Sequence, residues 1–165
     1  MRVKYHKYLW YVVRHKWFVA QECFKVGLFW RGIVHDIDKF LPDEFIPYAK
    51  HFFGPDRDIH TSRNKTGYYK PTNTGDPAFD YAWFLHTKRN KHHWQYWCIP
   101  EQGEGAIIPV VIPLKYVKEM ICDWKGAAKA QHSKSTVQEW YEANKNKMIL
   151  HHVTRGILEV LLHNK

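Results

Sequence analysis

Apolar residues recur at three- and four-residue steps through the first part of the chain, which predicts a helical segment from about Lys4 to Val34. Gly27 and Gly32 interrupt this pattern, so we expect a kink or two separate helices before His35. The apolar stripe predicted to face the core consists of Leu9, Val12, Val13, Lys16, Trp17, Ala20, Cys23, Phe24 and Gly27.

Local signals predict where further helices begin. Pro42, followed by two acidic residues, predicts a helix that ends near Gly54. Asp76 and Pro77 predict the start of the next helix, which carries a group of histidines. Pro113 predicts the first position of a later helix with a buried apolar stripe.

The segments between these helices differ in character. From Pro55 to Gly75 the chain is polar and rich in turn formers, which predicts a long loop, either a lid or binding loop or a solvated insertion. Residues 98–112 predict a short β-hairpin or an irregular arm, with Gly103 and Gly105 near its turn. The basic loop residues that can meet an anionic substrate are Arg57, Arg63, Lys65 and Lys70.

The whole pattern predicts an all-α fold, a single helical domain over residues 1–165 with one long loop and a short hairpin or arm. Thr136 and Glu139 have the spacing of a capping box at the start of another helix. The apolar residues between positions 153 and 162 predict a last helix with a structural role.

The composition indicates the cellular compartment and the class of partner. Three cysteines without close spacing argue against a disulfide framework and for a reducing compartment. With no apolar segment long enough to span a bilayer and no signal-peptide core, the chain is predicted to be cytoplasmic and to bind no membrane. A net charge of +9 favours an anionic partner, either a small molecule or a nucleic acid.

The first candidate metal ligands along the chain lie in the segment Val34–Phe40. His35 and Asp36 follow an apolar helix, and such residues avoid burial unless they are paired or bind a metal. They therefore predict a metal site or, alternatively, a salt-linked pair at a solvated helix end.

Further candidate ligands follow along the chain. On a continuous helix, His86, Asn90 and His93 share one face, whereas His92 turns inward if the helix ends at Asn90. Clustered imidazoles are frequent metal ligands, although an exposed aromatic–histidine surface is the alternative. Asp123 lies in a later apolar stripe and requires a charged partner or a metal.

The order of these residues resembles that of the HD-domain superfamily, all-helical metal-dependent proteins that mostly hydrolyse phosphate esters. The resemblance rests on an early histidine, an adjacent His-Asp pair, later histidines and a late aspartate. Asp38 departs from that family's motif, in which a small residue usually precedes the lysine. The residues that carry the resemblance are His15, His35, Asp36, His86, His92 or His93, and Asp123.

The resemblance implies a ligand set and roles for nearby residues. His15, His35, Asp36 and Asp123 would hold one divalent ion, of Mn, Fe, Co, Ni or Zn. If His86 and His92 or His93 also converge, Asp36 would bridge a second ion, and the two would activate water for attack on phosphorus. Lys39 would contact the substrate phosphate, and Glu44 or Glu119 would orient the water or hold a ligand imidazole in its tautomer.

Three functions remain open from the sequence. The leading one is a phosphohydrolase acting on a phosphate ester or anhydride, most plausibly of a nucleotide whose base stacks on Trp94, Trp97 or Tyr48. The second is an HD-fold di-iron oxygenase with the same kind of ligands. The third is a non-catalytic nucleic-acid-binding module with a structural metal. The combination of Asn90, His92–Trp94 and Asp123–Trp124 also resembles an uncharacterised family of small bacterial and phage proteins.

Overall fold

The computed structural model describes residues 2–55, 71–103 and 105–163. Within them the α-helices are α1 (Tyr5–Lys25), α2 (Phe29–Val34), α3 (Pro42–Phe53), α4 (Pro77–Arg89), α5 (Leu114–Ala130), α6 (Val137–Asn144) and α7 (His152–His163). Short 3-10 helices span Ile37–Phe40, Trp94–Trp97 and Lys145–Lys147, and the strands are β1 (Cys98–Pro100) and β2 (Ile107–Pro109). The all-α class is confirmed. Most of the predicted loop, with Arg57, Arg63, Lys65 and Lys70, lies outside the described residues.

The predicted helix starts agree closely with the structure. Pro42 and Pro77 begin α3 and α4, and the Asp76 side chain accepts a hydrogen bond from the Phe79 amide at 3.2 Å. Thr136 and Glu139 form the reciprocal capping box at the start of α6. Pro113 precedes α5 instead of occupying its first position, because its ψ of 140° is extended.

The hairpin prediction is also confirmed. β1 and β2 pair in an antiparallel register with Ile99 opposite Ile108. Gly103 and Gly105 lie in the connection with φ values of +87° and +64°, a backbone region that glycine adopts at low cost. Among the described residues, no helix is sufficiently long and apolar to cross a membrane.

The first helical segment is divided into two helices, as predicted. Gly27 (φ +77°) separates α1 from α2, which packs back against α1. A Cβ atom on Gly32 would lie 2.9 Å from the Cys23 Cβ, so only glycine allows this close approach. After α2, Asp36 has a left-handed backbone (φ 51°, ψ 31°), which turns the chain sharply into the following 3-10 helix.

The predicted buried stripe of α1 is wrong for most of its length. Leu9, Val13 and Trp17 are 44%, 42% and 63% exposed, and Phe24 is 41% exposed. The buried residues of α1 are Tyr8, Val12, His15, Val19, Glu22 and Cys23. Both sets have helical spacing, but the buried set includes a histidine and a glutamate, which hydrophobicity alone places outside.

The described residues form two large apolar cores and a small third cluster of Val19, Cys23 and Cys122. One joins α1, α3 and α4, and the other joins α5, α6 and α7. Helices α1 and α5 cross between them at Gly126, where a Cβ atom would lie only 2.7 Å from the Val19 backbone nitrogen. This close crossing brings the polar side chains of α1 and α5 next to each other.

Candidate metal centre

Four parts of the fold bring titratable side chains together in the interior. α1 supplies His15, the turn after α2 supplies His35 and Asp36, and α5 supplies Asp123. The fourth part is the end of α4 and the residues after it, which carry His86, His92 and His93. His15, His35, Asp36, His86 and His92 are at most 2% exposed, so water does not solvate this group of polar side chains.

Asp36 lies at the middle of the group and directs one carboxylate oxygen to each side. Its Oδ2 lies 3.3 Å from His15 Nε2 and 3.5 Å from His35 Nε2. Its Oδ1 lies 3.3 Å from His92 Nε2 and 3.7 Å from His86 Nε2. The carboxylate therefore belongs to two ligand clusters at once.

The first cluster is completed by Asp123. Asp123 Oδ1 lies 3.1 Å from His15 Nε2 and 3.3 Å from His35 Nε2. One ligand atom from each of His15, His35, Asp36 and Asp123 can be chosen so that all lie within 4.8 Å of one another. This is the four-residue set that the sequence predicted.

The second cluster combines Asp36 with three imidazoles, because both His92 and His93 point inward. α4 ends at Arg89 and Asn90 is extended, so the predicted continuous helical face is wrong beyond that residue. The turn that follows brings His93 Nε2 to 2.9 Å from His86 Nε2. His86, His92, His93 and Asp36 again have ligand atoms within 4.8 Å of one another.

The donor atoms fit a cation. Asp36 Oδ1 and His92 Nε2 are buried and have no hydrogen-bond partner among the described residues, although they lie 3.3 Å apart. Buried polar atoms are normally hydrogen-bonded, and binding of an ion is one of the recognised reasons for an exception. Imidazole and carboxylate donors suit divalent transition metals.

Asp38 and Glu44 orient His86 from behind. His86 Nδ1 lies 3.0 Å from both Asp38 Oδ2 and Glu44 Oε2, and Asn90 Nδ2 donates to Asp38 Oδ2 at 2.5 Å. Arg89 Nη1 donates to the other oxygen of Glu44 at 2.7 Å. Because Nδ1 is held by carboxylates, His86 presents Nε2 to the centre. This contact accounts for Asp38, the residue that departs from the HD-domain motif.

Glu119 orients one imidazole of each cluster by contacting its Nδ1 atom. Its Oε1 lies 3.3 Å from His35 Nδ1 and 3.5 Å from His92 Nδ1. Arg31 Nε pairs with Oε2, and its guanidinium carbon lies 4.3 Å from the centroid of the Tyr116 ring. A single carboxylate, neutralised by Arg31, thus fixes ring orientation in both halves of the centre.

The electrostatics follow from burial and mutual pairing. Burial raises the pKa of Asp36, but His35 and Lys39 outweigh it and hold that pKa well below its usual value. Lys39 Nζ lies 2.6 Å from Asp36 Oδ2; burial lowers the pKa of Lys39, but Asp36 and Asp123 outweigh it and raise that pKa well above its usual value. Burial also lowers the pKa of His92, yet the nearby carboxylates of Asp36 and Glu119 outweigh it and raise that pKa to about 10. Metal binding at this centre must therefore release protons.

The centre opens into a cavity of about 710 Å³, within the size range of small-molecule sites. At the polar end, Lys39 and ligand residues of both clusters line the wall. The remaining wall includes aromatic, thioether and amide side chains, among them Trp83, Trp94, Trp124, Trp140, Met120, Met148 and Gln95.

Comparison with known proteins places the chain in a family without assigning an activity. The model of a family of unknown function, DUF5662, matches residues 4–164. The chain belongs to DUF5662. No curated protein and no solved structure matches it.

In this DUF5662 protein all the predicted ligands meet in one centre, and the predicted substrate residue Lys39 lines the cavity. Glu44 and Glu119, for which two roles were open, contact imidazoles and do not line the cavity. Trp94 and Tyr48 line the cavity, whereas Trp97 does not and donates to the Lys91 carbonyl at 2.8 Å.

Several residues of the site were missed by the sequence reasoning. Trp140 and Gln95 line the cavity and Arg31 pairs with Glu119, and none of the three was predicted as a site residue. Arg31 lies on α2, four residues before His35, so a search for cations about one turn from each candidate ligand would have identified it.

Proposed function

We propose that this DUF5662 protein is a metal-dependent hydrolase of phosphate esters or anhydrides. The observation that carries the proposal is the Asp36 carboxylate, which directs one oxygen to each of two buried ligand clusters. This arrangement suits a centre of two divalent transition-metal ions that share one carboxylate. The same order of residues underlies the resemblance to the HD-domain superfamily.

The proposed chemistry divides between the bound ions and the chain. When bound, two ions supply an activated water and stabilise the charge that develops on a phosphoryl group. Lys39 binds the substrate anion from the cavity wall, where its ammonium pairs with Asp36. Asp38, Glu44 and Glu119 keep the imidazoles in the tautomer that exposes Nε2.

The far end of the cavity supports a substrate with a flat ring, such as a nucleotide. The Trp124 and Trp140 ring centroids lie 5.2 Å apart, and both residues line the cavity. Gln95 Oε1 is buried and accepts no hydrogen bond from the described residues. An amide oxygen beside aromatic walls can read an N–H group on a ring edge. The net charge of +9 favours the anionic end of such a substrate.

A di-iron oxygenase is the second candidate. The second cluster consists of three imidazoles and the shared carboxylate, with no cysteine, and imidazole–carboxylate sets also suit iron that reacts with dioxygen. Such an enzyme would use the same cavity for its organic substrate.

Metal reconstitution followed by two activity assays separates these candidates. The purified protein is loaded anaerobically with Mn, Fe, Co, Ni or Zn, and its metal content is measured by elemental analysis. Phosphate release from a panel of nucleotides supports the hydrolase. Oxygen consumption by the iron-loaded protein with a polyol or a phosphonate, without phosphate release from nucleotides, supports the oxygenase instead.

Variants make the assay specific for the centre. Asp36→Asn is expected to lose both ions and all phosphate release, because it weakens both clusters. Glu142→Gln is the matched control, since that surface carboxylate pairs with Lys145 at 2.7 Å, away from the centre. If the wild-type protein takes up no stoichiometric amount of any of the five metals, the proposal is wrong.

A further inference from the structure

The outer side of the N-terminal helices carries large apolar residues that the protomer leaves uncovered. On α1, Trp10, Val13 and Trp17 are 64%, 42% and 63% exposed. They recur at three- and four-residue steps and therefore lie on one helical face, opposite the face that carries His15. A surface helix of a monomer normally directs polar residues to solvent. α1 instead carries a second apolar face, which the protomer itself does not cover.

The neighbouring elements extend the same surface. On α2, Trp30 and Ile33 are 71% and 57% exposed, and Ile37 in the following 3-10 helix is 62% exposed. α2 packs directly on α1, and the Lys16 ammonium bonds to the Ile33 carbonyl oxygen at 3.4 Å, which places Ile33 beside the middle of α1. We define the outer face as Trp10, Val13, Trp17, Trp30, Ile33 and Ile37.

Five basic residues near this face, between positions 14 and 39, make contacts within their own chain. Lys16 bonds to backbone carbonyl oxygens at the end of α2, and Arg14 contacts His132 Nε2 at 2.8 Å. The remaining three between positions 14 and 39 pair with internal carboxylates, namely Lys25 with Glu22, Arg31 with Glu119 and Lys39 with Asp36. The six side chains of the outer face are themselves uncharged, so an apolar surface of a partner can cover them.

The size of the outer face matches that of a protein interface. With roughly 250 Å² for one tryptophan side chain, the exposed parts of the six residues amount to an area on the order of 800 Å². Each partner in an interface of standard size contributes about 800 Å². A patch of this size on a monomer usually marks an interaction site.

We propose that the outer face packs against the same face of a second copy of this chain, forming a two-fold symmetric dimer. A two-fold axis presents the same patch from both copies, so an apolar face can pair with itself. α1 would then lie between its own core and the partner. Because His15 is on the inner face of α1, the dimer would hold the helix that supplies a ligand of the candidate metal centre. The inference does not depend on the proposed reaction.

The test is the mass of the full-length protein in solution, measured by light scattering and sedimentation over roughly 1–100 µM. The wild-type protein is expected to show twice the monomer mass. Trp17→Glu is expected to weaken the dimer at least about 100-fold, because a two-fold dimer would bury the new carboxylate twice. Phe84→Glu on α4, where the side chain is 52% exposed and lies outside the outer face, is the control and should remain dimeric.

Each remaining outcome is decisive. If Trp17→Glu fails to fold by circular dichroism, Ile33→Glu replaces it on the same face. A wild-type protein that stays monomeric at the highest concentration would overturn the proposal, and so would dimers that persist in both face variants. Wild-type monomers that co-sediment with phosphatidylglycerol vesicles would assign the face to a membrane and would also overturn it.

Discussion

The inner and outer sides of the segment Tyr5–Phe40 reverse the usual distribution of polarity in a small protein. The inner side buries His15, Glu22 and Asp36, whereas the outer side exposes three tryptophans. The inner polar groups are compatible with burial because each has a carboxylate, cation or imidazole as a partner. The burial pattern of this segment therefore follows the mutual pairing of polar groups on one side and leaves large apolar side chains uncovered on the other.

The largest expected difference between the two sides concerns metal-dependent stability. Metal loading at about 1,000 times its dissociation constant should raise the free energy of unfolding by about 4 kcal/mol. His15→Ala on the inner side should lower that gain by about half or more, because one ligand cluster is lost, whereas Val13→Ala on the outer side should keep it. Thermal unfolding of each variant with and without a chelator measures the gain. An equal gain in His15→Ala and the wild type would contradict the assignment of His15 as a ligand.

The next effect concerns the crossing that presses the inner side of α1 against α5. Gly126→Ala is expected to destabilise the fold by about 1–3 kcal/mol, because the added methyl group meets the Val19 backbone. Gly156→Ala in α7, where nothing lies within 4 Å of the new atom, should instead stabilise the fold by about 0.5–1 kcal/mol. Denaturant unfolding compares the two. Equal effects of the two substitutions would mean that α1 and α5 do not cross so closely.

The smallest expected effect is a difference in metal affinity between variants of two adjacent residues in the 3-10 helix Ile37–Phe40. Asp38 is 8% exposed and holds His86, whereas Ile37 is 62% exposed on the outer face. Asp38→Ala is expected to weaken metal binding about 10- to 100-fold, the usual cost of losing a residue that orients a ligand. Ile37→Ala should leave metal affinity unchanged. Competition with a chromophoric chelator gives both values, and equal affinities would remove Asp38 from the site.

Much of the fold was predictable because its helix boundaries have local causes. Pro42, Asp76 and the Thr136–Glu139 pair act within one turn, and the structure confirms each of them. The ligand residues were predictable for a different reason, since histidines and aspartates near apolar segments require partners and those partners occur in a recognisable order.

The buried face of α1 could not be predicted from periodicity, because two faces of the helix share the same spacing. The sequence does not say which face has a partner within the chain, and tryptophan weighs more than histidine on any hydrophobic scale. Both His92 and His93 point inward only because the chain turns at Asn90, a tertiary feature without a local signal. Gln95 and Trp140 both line the cavity although they are far apart in the sequence, and no local sequence pattern predicts this.

The left-handed backbone of Asp36 limits what mutagenesis can achieve at this position. This conformation costs most residues about 1–2 kcal/mol of conformational free energy, and only glycine, asparagine and aspartate adopt it routinely. In a saturation library, glycine and asparagine should therefore avoid this backbone cost while losing function, whereas β-branched residues should bear it in addition to the loss of the buried carboxylate. Asparagine is consequently the replacement for preparing an inactive protein that can still be crystallised with a substrate.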